Sequence, residues 1–383
     1  MWAAREAGVG EPGRGVDGHK VCIMVRRVMT LVVALVLLVG IGAAGLLLPL
    51  PYLVAAPGVT VNTVGELQGE PVITVEGADS YEHDEGALSM VTVQYAGGPE
   101  HRLNFFTLVT AWLSPTQAVL PEELLFPAGR SPEEVSERQS VQMNDSQTDA
   151  TAAALNQLDI DYEAVPQVAE TVEDMPAHGV VESGDVITAV DGRTVPTSAT
   201  GDDPEELVGS AAVVEWVSSR EPGEPVELTL ERDGETVDVE METRQGDNGA
   251  AVGVLIADDM DFPLEVEISV GDIGGPSAGM MFSLGIMDRL TEESLTGGAN
   301  IAGSGTITSD GQVGGISGIP QKMVSARRDG ADYFLVAAES CSQVFQSDAY
   351  DDLEVVRVET LTDAVGALET IRTGEGELPR CER

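Results

Sequence analysis

The longest apolar run of the chain lies near its N-terminus. No charged residue occurs from Val28 to Leu50, and Arg26 and Arg27 directly precede this run. A helix needs roughly 20 apolar residues to cross a bilayer, so the run is long enough. The basic residues before it place the N-terminus in the cytoplasm and the rest of the chain outside. We therefore predict a single transmembrane helix; the alternative is a cleaved signal peptide, although a cleavage site there would be followed by Pro57.

The next segment, 51–162, predicts a β-rich region followed by a helix. Residues 71–75 and 88–95 are rich in β-formers and are bounded by glycine and proline. The sequence Ser131-Pro-Glu-Glu is a capping box with proline at the first helical position. We expect a helix to begin there and to extend through 152–158, with or without a break.

Residues 163–244 predict a second unit, in which a buried strand is followed by a helix and a hairpin. The expected elements are a strand at 186–190, a helix at 204–219, and hairpin arms at 226–230 and 237–241. The strand follows a Gly-Asp pair and ends at an Asp-Gly turn, a pattern that resembles bacterial PDZ domains. PDZ domains bind an extended peptide beside an edge strand. The alternative is another small β-rich domain with the same turns.

The composition is strongly acidic. The chain has 65 acidic and 20 basic residues, a formal net charge of −45, and only two lysines, Lys20 and Lys322. Nucleic acid is excluded as a partner because phosphate contacts need clustered basic residues. A salt-rich habitat and a GC-rich genome both explain this bias. Cys341 and Cys381 are the only cysteines beyond the apolar run, so they form either a disulfide or two free thiols.

Candidate chemistry begins at a glycine-rich turn near the C-terminus. A strand at 266–270 runs into Gly271–Gly279, and an apolar helix follows from Met280 to about Leu290. This layout presents Ser277 at a helix N-terminus, where unpaired N–H groups can receive a developing oxyanion. The alternative is a serine that merely caps the helix.

Lys322 is the second candidate. It is the only lysine beyond the apolar run, and it stands where a helix should start after a glycine-rich turn. A buried lysine can lose its proton, whereas arginine cannot, so a lysine retained here suggests general-base chemistry. The alternative is one surface lysine retained by chance.

The two segments together resemble the proteolytic domain of the Lon peptidases. The sequence Gly-Pro-Ser-Ala-Gly at 275–279 matches the family's nucleophile motif, and the stretch from Ser304 to Lys322 matches its second motif. The resemblance implies Ser277 as nucleophile, Lys322 as general base and Ser304 as an assisting hydroxyl, where the family usually has threonine. With the anchor and the PDZ-like unit, the chain is similar to membrane-bound PDZ–Lon peptidases of Gram-positive bacteria. Lon domains often form rings, which implies self-association.

The sequence lacks the residues that other enzyme classes need for catalysis. The last histidine is His178, so the C-terminal region has no Ser-His-Asp triad. Neither lysine follows a glycine, which excludes a Gly-Lys-Ser/Thr phosphate loop, and Ile319 excludes a Ser-x-x-Lys motif. Scattered histidines argue against catalytic zinc. We expect no cofactor and no metal. Asp272 is a weaker catalytic candidate than the dyad.

The sequence thus predicts an α+β multidomain protein. The segments are a cytoplasmic N-terminus, a transmembrane helix, a β-rich and helical membrane-proximal region, a PDZ-like domain and a Lon-type α/β proteolytic domain, at 1–27, 28–50, 51–162, 163–244 and 250–375. The predicted function is ATP-independent cleavage of extracytoplasmic or membrane-proximal proteins and peptides. For this, Lys322 must be desolvated by apolar neighbours such as Ile316, Ile319, Met323 or Val324. The alternative function is an inactive, membrane-anchored adaptor that binds peptides through its PDZ-like domain.

Overall fold

A computed structural model describes residues 18–83, 85–127, 129–198, 207–246, 249–271 and 273–383, with side chains from Ile23 onward. Its first element is the helix α1 (Gly18–Leu47), of which Ile23–Leu47 has a mean hydropathy of 2.6 and no buried side chain. By length and composition this helix is able to cross a membrane. It ends at Leu47 rather than at the predicted Leu50, because Pro49 disfavours helical geometry in the residue before it.

Strands and two helices follow α1. They are β1 (Tyr52–Asn62), β2 (Glu66–Leu67), β3 (Glu70–Pro71), β4 (Ile73–Glu76), β5 (Ala87–Gly97), α2 (Phe105–Trp112), β6 (Ala118–Pro121) and α3 (Pro132–Gln157). The predicted capping box is confirmed: the Ser131 hydroxyl accepts from the Glu134 amide, and the Glu134 carboxylate accepts from the Ser131 amide. The helix α3 continues without a break.

The PDZ-like unit is a sheet covered by one helix. Its elements are β7 (Glu163–Thr171), β8 (Val186–Val190), β9 (Arg193–Thr194), α4 (Gly209–Ser218), β10 (Pro225–Arg232), β11 (Glu235–Glu242), β12 (Arg244–Gly246), β13 (Gly249–Ala251) and β14 (Val254–Asp261). The predicted strand and hairpin are confirmed. The predicted helix begins at Gly209, and its proposed start at 204 lies outside the described residues. The sheet order β11-β10-β8-β7-β14 makes β14 an edge strand.

The C-terminal part alternates strands and helices. Its elements are β15 (Glu265–Ile268), α5 (Gly279–Leu290), β16 (Asn300–Ser304), β17 (Thr306–Ile307), β18 (Val313–Gly314), α6 (Ile319–Arg328), β19 (Tyr333–Ala337), α7 (Cys341–Val344), β20 (Glu354–Val358) and α8 (Leu361–Thr373). The predicted strand, turn and helix around Ser277 are confirmed, and α6 starts three residues before Lys322.

The main sheet joins segments that the sequence analysis treated as separate. Its order is β20-β19-β16-β5-β1-β6, with β5, β16, β19 and β20 parallel. The segment 51–162 is therefore not independent of the C-terminal region, because its strands β1, β5 and β6 complete the same sheet. The ranges of the five predicted segments remain predictions.

Side-chain alternation along this sheet gives it two apolar faces. Leu88, Ile301 and Leu335 belong to a buried cluster that includes residues of α3, α5 and α8. Ala302 and Phe334 belong to a second buried cluster, which includes residues of α6 and α7. Successive residues of a strand point to opposite faces, which is why neighbours in sequence divide between the two clusters. The sheet is therefore the middle of three layers.

Of the two open alternatives for Cys341 and Cys381, the structure has the disulfide. The two Cα atoms lie 5.3 Å apart, within the usual range for a bridge, and the bond links residues 40 apart in sequence. It fastens the C-terminal tail beside α7.

Candidate functional site

Ser277 lies at the turn that leads into α5. The turn is held by α3: the Gly275 amide donates to the carbonyl of Gln139 at 3.0 Å, and the Ser146 hydroxyl donates to the carbonyl of Pro276 at 3.2 Å. Gly275 has a φ of +89°, which glycine adopts without strain. At Gly279 a Cβ would lie 2.7 Å from a methyl carbon of Ile307, so only glycine lets the helix start this close to β17.

Lys322 reaches Ser277 from the other face of the sheet. It lies in the first turn of α6, which follows Gly318 with a φ of +80°. Its Nζ lies 2.7 Å from the Ser277 Oγ and 2.7 Å from the Ser304 Oγ, and only 3% of the residue is exposed. Ser304 ends β16, between the two sheet faces. The structure thus brings together all three residues that the sequence analysis selected.

Ser304 links Lys322 to the backbone of Ser277 through two hydrogen bonds. The Ser304 hydroxyl donates to the Ser277 carbonyl oxygen at 2.9 Å, so its oxygen must accept from Lys322. A neutral amine that donates to Ser304 keeps its single lone pair for the Ser277 hydroxyl. The Nζ lies within hydrogen-bond distance of both hydroxyl oxygens, so a neutral amine held by Ser304 has its lone pair available to the Ser277 proton.

Burial lowers the pKa of Lys322 from 10.5 to about 7, because desolvation disfavours the ammonium form. Ile319 and Met323, which the sequence analysis expected to exclude water, are fully buried on the same helix, while Val324 is nearly so and Ile316 is partly buried. No acidic residue contributes to this shift among the described groups. The amine is therefore substantially neutral near neutral pH.

A cleft of about 800 Å³ opens at this site. It is lined by residues of β1, β5, α3, the two glycine-rich turns and Lys322 itself: Gly58, Val59, Met90, Thr92, Val93, Gln94, Tyr95, Gln139, Met143, Ile273–Ala278, Thr306, Gly315–Ser317 and Lys322. Among these described lining residues Lys322 is the only ionisable cation and there is no carboxylate, although the chain carries a net charge of −45. Asp272, the weaker candidate, lies outside the described residues.

Sequence reasoning missed the contributions of β5 and α3 to this cleft. Thr92–Tyr95 and Gln139–Met143 carry no catalytic motif, and they are distant in sequence from Ser277. The pairing of β16 with β5 ends at Gly303 and Met90. Beyond that point, the edge of β5 that faces the cleft is unpaired within the part of the chain that the structure describes.

Two families match the sequence. Residues 139–243 match the PDZ domain family, and residues 264–369 match the Lon protease (S16) C-terminal proteolytic domain. The first match begins inside α3, a helix whose buried residues include members of the main-sheet core. No curated protein matches the chain.

Solved structures that resemble part of the chain include PDZ domains and a protein from Geobacillus thermodenitrificans. The PDZ domain of an SdrC-like protein from Listeria monocytogenes is 18% identical, covering 25% of this chain and 88% of that one, with a TM-score of 0.20. Its counterpart from Listeria innocua is 20% identical, covering 24% and 93%, with a TM-score of 0.20. A protein from Geobacillus thermodenitrificans is 26% identical, covering 24% and 95%, with a TM-score of 0.19.

The assignment rests on the two sequence matches and on the elements that they cover. The PDZ match ends with the hairpin of β10 and β11, and the Lon match extends from β15 to α8. The chain therefore carries a PDZ domain and a proteolytic domain of the Lon (S16) serine peptidase family, both C-terminal to an apolar helix long enough to cross a membrane.

Proposed function

We propose that the protein is an ATP-independent serine endopeptidase with a Ser277–Lys322 dyad, anchored in the cell membrane with its proteolytic domain outside. The observation that carries the proposal is the 2.7 Å separation between the Lys322 Nζ and the Ser277 Oγ, in a lysine that is only 3% exposed. ATP independence is supported by the sequence, which has no Gly-Lys-Ser/Thr phosphate loop. The extracytoplasmic orientation is supported by the basic residues before α1 and by the disulfide.

The dyad accounts for both halves of hydrolysis. Lys322 takes the proton of the Ser277 hydroxyl as its Oγ bonds to the scissile carbonyl carbon, and the carbonyl π electrons move to oxygen. The resulting ammonium returns the proton to the departing amine as the C–N bond breaks, which leaves an acyl-enzyme. Lys322 then takes a proton from water, whose oxygen attacks the ester, and the same proton is returned to the Ser277 Oγ. The base ends as it began.

The oxyanion needs donors near the nucleophile. Among the described residues the Ser277 amide has no hydrogen-bond acceptor, and it lies just before the N-terminus of α5, where the helix dipole is positive. We assign this N–H as one oxyanion donor. Preorganised backbone donors of this kind do not have to reorient as charge develops.

The substrate class follows from the shape and lining of the cleft. The unpaired edge of β5 at Thr92–Tyr95 offers backbone groups to an extended peptide, which would add as a strand beside the nucleophile. Met90, Met143, Ile273 and Val93 give the cleft apolar walls. An unfolded segment with apolar side chains near the cleaved bond therefore fits best.

The edge strand β14 is the observation that favours the alternative, a peptide-binding adaptor. The chain's PDZ sheet ends in this strand, and α4 lies beside it, with the Ser210 amide and hydroxyl both donating to the Asp258 carboxylate at 2.6 Å. We propose that this unit binds a substrate tail. An adaptor would bind peptide without hydrolysing it.

The decisive test uses the purified full-length chain in lipid nanodiscs with an unstructured protein as substrate. We expect hydrolysis without nucleotide, no change on adding ATP, and loss of hydrolysis in Ser277→Ala. The matched control is Ser342→Ala, an exposed serine of α7, which should retain full activity. Hydrolysis that survives Ser277→Ala, or that requires ATP, contradicts the proposal; peptide binding without hydrolysis in the wild type supports the adaptor.

The pH dependence of kcat/KM should follow the Lys322 amine. Its pKa is lowered to about 7, so the active neutral form is lost as pH falls through that value. We expect a half-maximal rate near pH 7 and a fall of about tenfold per unit below it. A profile still rising steeply above pH 9 would mean that the amine is hydrated and has its ordinary pKa.

Ser304→Ala should lower kcat by about tenfold, since the amine loses the acceptor that orients it. Because an accepting hydroxyl favours the ammonium, its removal should also move the pH midpoint downward. Ser304→Thr keeps the hydroxyl and should retain the midpoint. A purely structural role for Ser304 would lower stability in Ser304→Ala without moving the midpoint.

A further inference from the structure

Much of the apolar surface of the helix α2 is exposed. Leu108 and Ala111 are buried in a small cluster with Val54, and they fix the helix against β1 and β6. Four large side chains point away from this contact and are 45–74% exposed: Phe105, Phe106, Trp112 and Leu113. Exposed apolar groups this concentrated mark a surface for a partner or a membrane.

The position of α2 relates this surface to the membrane helix. A Cβ placed on Gly45, in the last turn of α1, would lie 2.9 Å from the Phe106 ring. The residues that follow α1 are also tied to those that precede α2, since the Leu50 amide donates to the Leu103 carbonyl. The exposed face of α2 therefore lies at the level where α1 would leave a bilayer.

The absence of charged residues around α2 favours a lipid surface over a protein partner. No charged residue occurs from Leu103 to Pro121, in a chain with 65 acidic residues. Carboxylates would be repelled by anionic headgroups and are costly at the apolar boundary, so their absence here suits lipid contact. Trp and Phe are the side chains that favour the membrane–water interface.

We propose that α2, with Leu113, lies in the headgroup–acyl boundary of the same bilayer that α1 crosses, and so holds the catalytic body against the membrane. The proposal rests on α1 spanning the bilayer. It also positions the cleft: Tyr95 lines it and is eight residues from Leu103, a distance of at most about 29 Å for an extended chain. Substrates would then be chain segments close to the membrane surface.

The three tryptophans allow a direct test in the full-length protein. Trp2→Phe with Trp216→Phe leaves Trp112 on α2, whereas Trp2→Phe with Trp112→Phe leaves Trp216 in the PDZ unit as the matched control. Each variant is placed in nanodiscs whose lipids carry a spin label near the top of the acyl chain. We expect the label to reduce Trp112 emission at least about twofold and to leave Trp216 emission nearly unchanged.

The other outcomes overturn the proposal. If the lipid label quenches Trp112 as weakly as it quenches Trp216, α2 does not enter the bilayer. If lipid leaves Trp112 unquenched while the residue is also shielded from aqueous iodide, a second copy of the chain covers the face instead. If iodide quenches Trp112 and lipid does not, the face is open to water. None of these readings depends on peptidase activity, so they distinguish failure of this inference from failure of the proposed function.

Discussion

Lys322→Arg is expected to lower kcat by about 10²- to 10⁴-fold at neutral pH, which is the usual contribution of a positioned general base. The exchange keeps a cation of similar length at the site but removes its ability to be neutral, because a guanidinium does not lose its proton in a protein. Lys322 is suited to the opposite state, since burial lowers its pKa to about 7. The variant should therefore stay inactive at every pH at which the protein is folded.

The same helix supplies a matched control. Arg327→Lys makes the reverse exchange five residues later on α6, where the side chain is partly exposed and contacts Asp352 at 2.9 Å. It should cost little stability, as surface ion pairs do, and should leave kcat unchanged.

A second variant separates lost chemistry from lost folding. An arginine at position 322 would bury a charge, so Lys322→Arg is expected to lower the stability of the folded protein. Lys322→Met removes the base without burying a charge, and it should be equally inactive while unfolding at a temperature no lower than the wild type. Either variant retaining a tenth of the wild-type kcat in a folded protein would exclude Lys322 as the base.

The residues of the candidate site could be selected from the sequence more readily than the pairing of the main sheet, because their signals are local. Ser277 stands between Gly275, whose positive φ favours glycine, and Gly279, where a Cβ would lie 2.7 Å from Ile307. Lys322 was conspicuous because arginine replaces lysine almost everywhere else. The capping box at Ser131 and the hairpin arms at 226–230 and 237–241 are likewise local, and both features formed where expected.

The assembly of the main sheet had no local signal. Parallel pairing of β16 with β5 joins residues more than 200 apart, for example Ile301 with Leu88. A parallel pair needs no connecting turn that could be recognised in the sequence, and an apolar strand fits many neighbours equally well. The role of α3 beside the nucleophile was missed for the same reason, since Gln139 acts there through its backbone carbonyl, which every residue type has.

Reduction of the Cys341–Cys381 disulfide is expected to lower the free energy of unfolding of the proteolytic domain by about 4 kcal/mol. The bond closes a loop of 40 residues, and opening it restores that conformational freedom to the unfolded chain. In the folded protein it secures a tail with few other contacts: the Pro379 carbonyl accepts from the Arg357 amide at 2.9 Å, and Arg380 pairs with Glu354 at 2.6 Å. Urea unfolding with and without reductant, followed by hydrogen exchange of β19 and β20, measures the change.

The control for this experiment is Cys381→Ser, which should unfold at the urea concentration of the reduced wild type and should not respond to reductant. Unchanged exchange in β19 and β20 on reduction of the wild type would show that the bond contributes nothing to stability.

The disulfide is also linked to activity through the segment that carries Cys341. The neighbouring Ser340 hydroxyl accepts from the amide of Ile316 and donates to its carbonyl, both at 2.9 Å, in the turn that lines the cleft before Lys322. Reduction should therefore lower the temperature at which peptidase activity is lost while leaving the pH midpoint near 7, because the burial that sets the Lys322 pKa belongs to α6 and the sheet rather than to the tail.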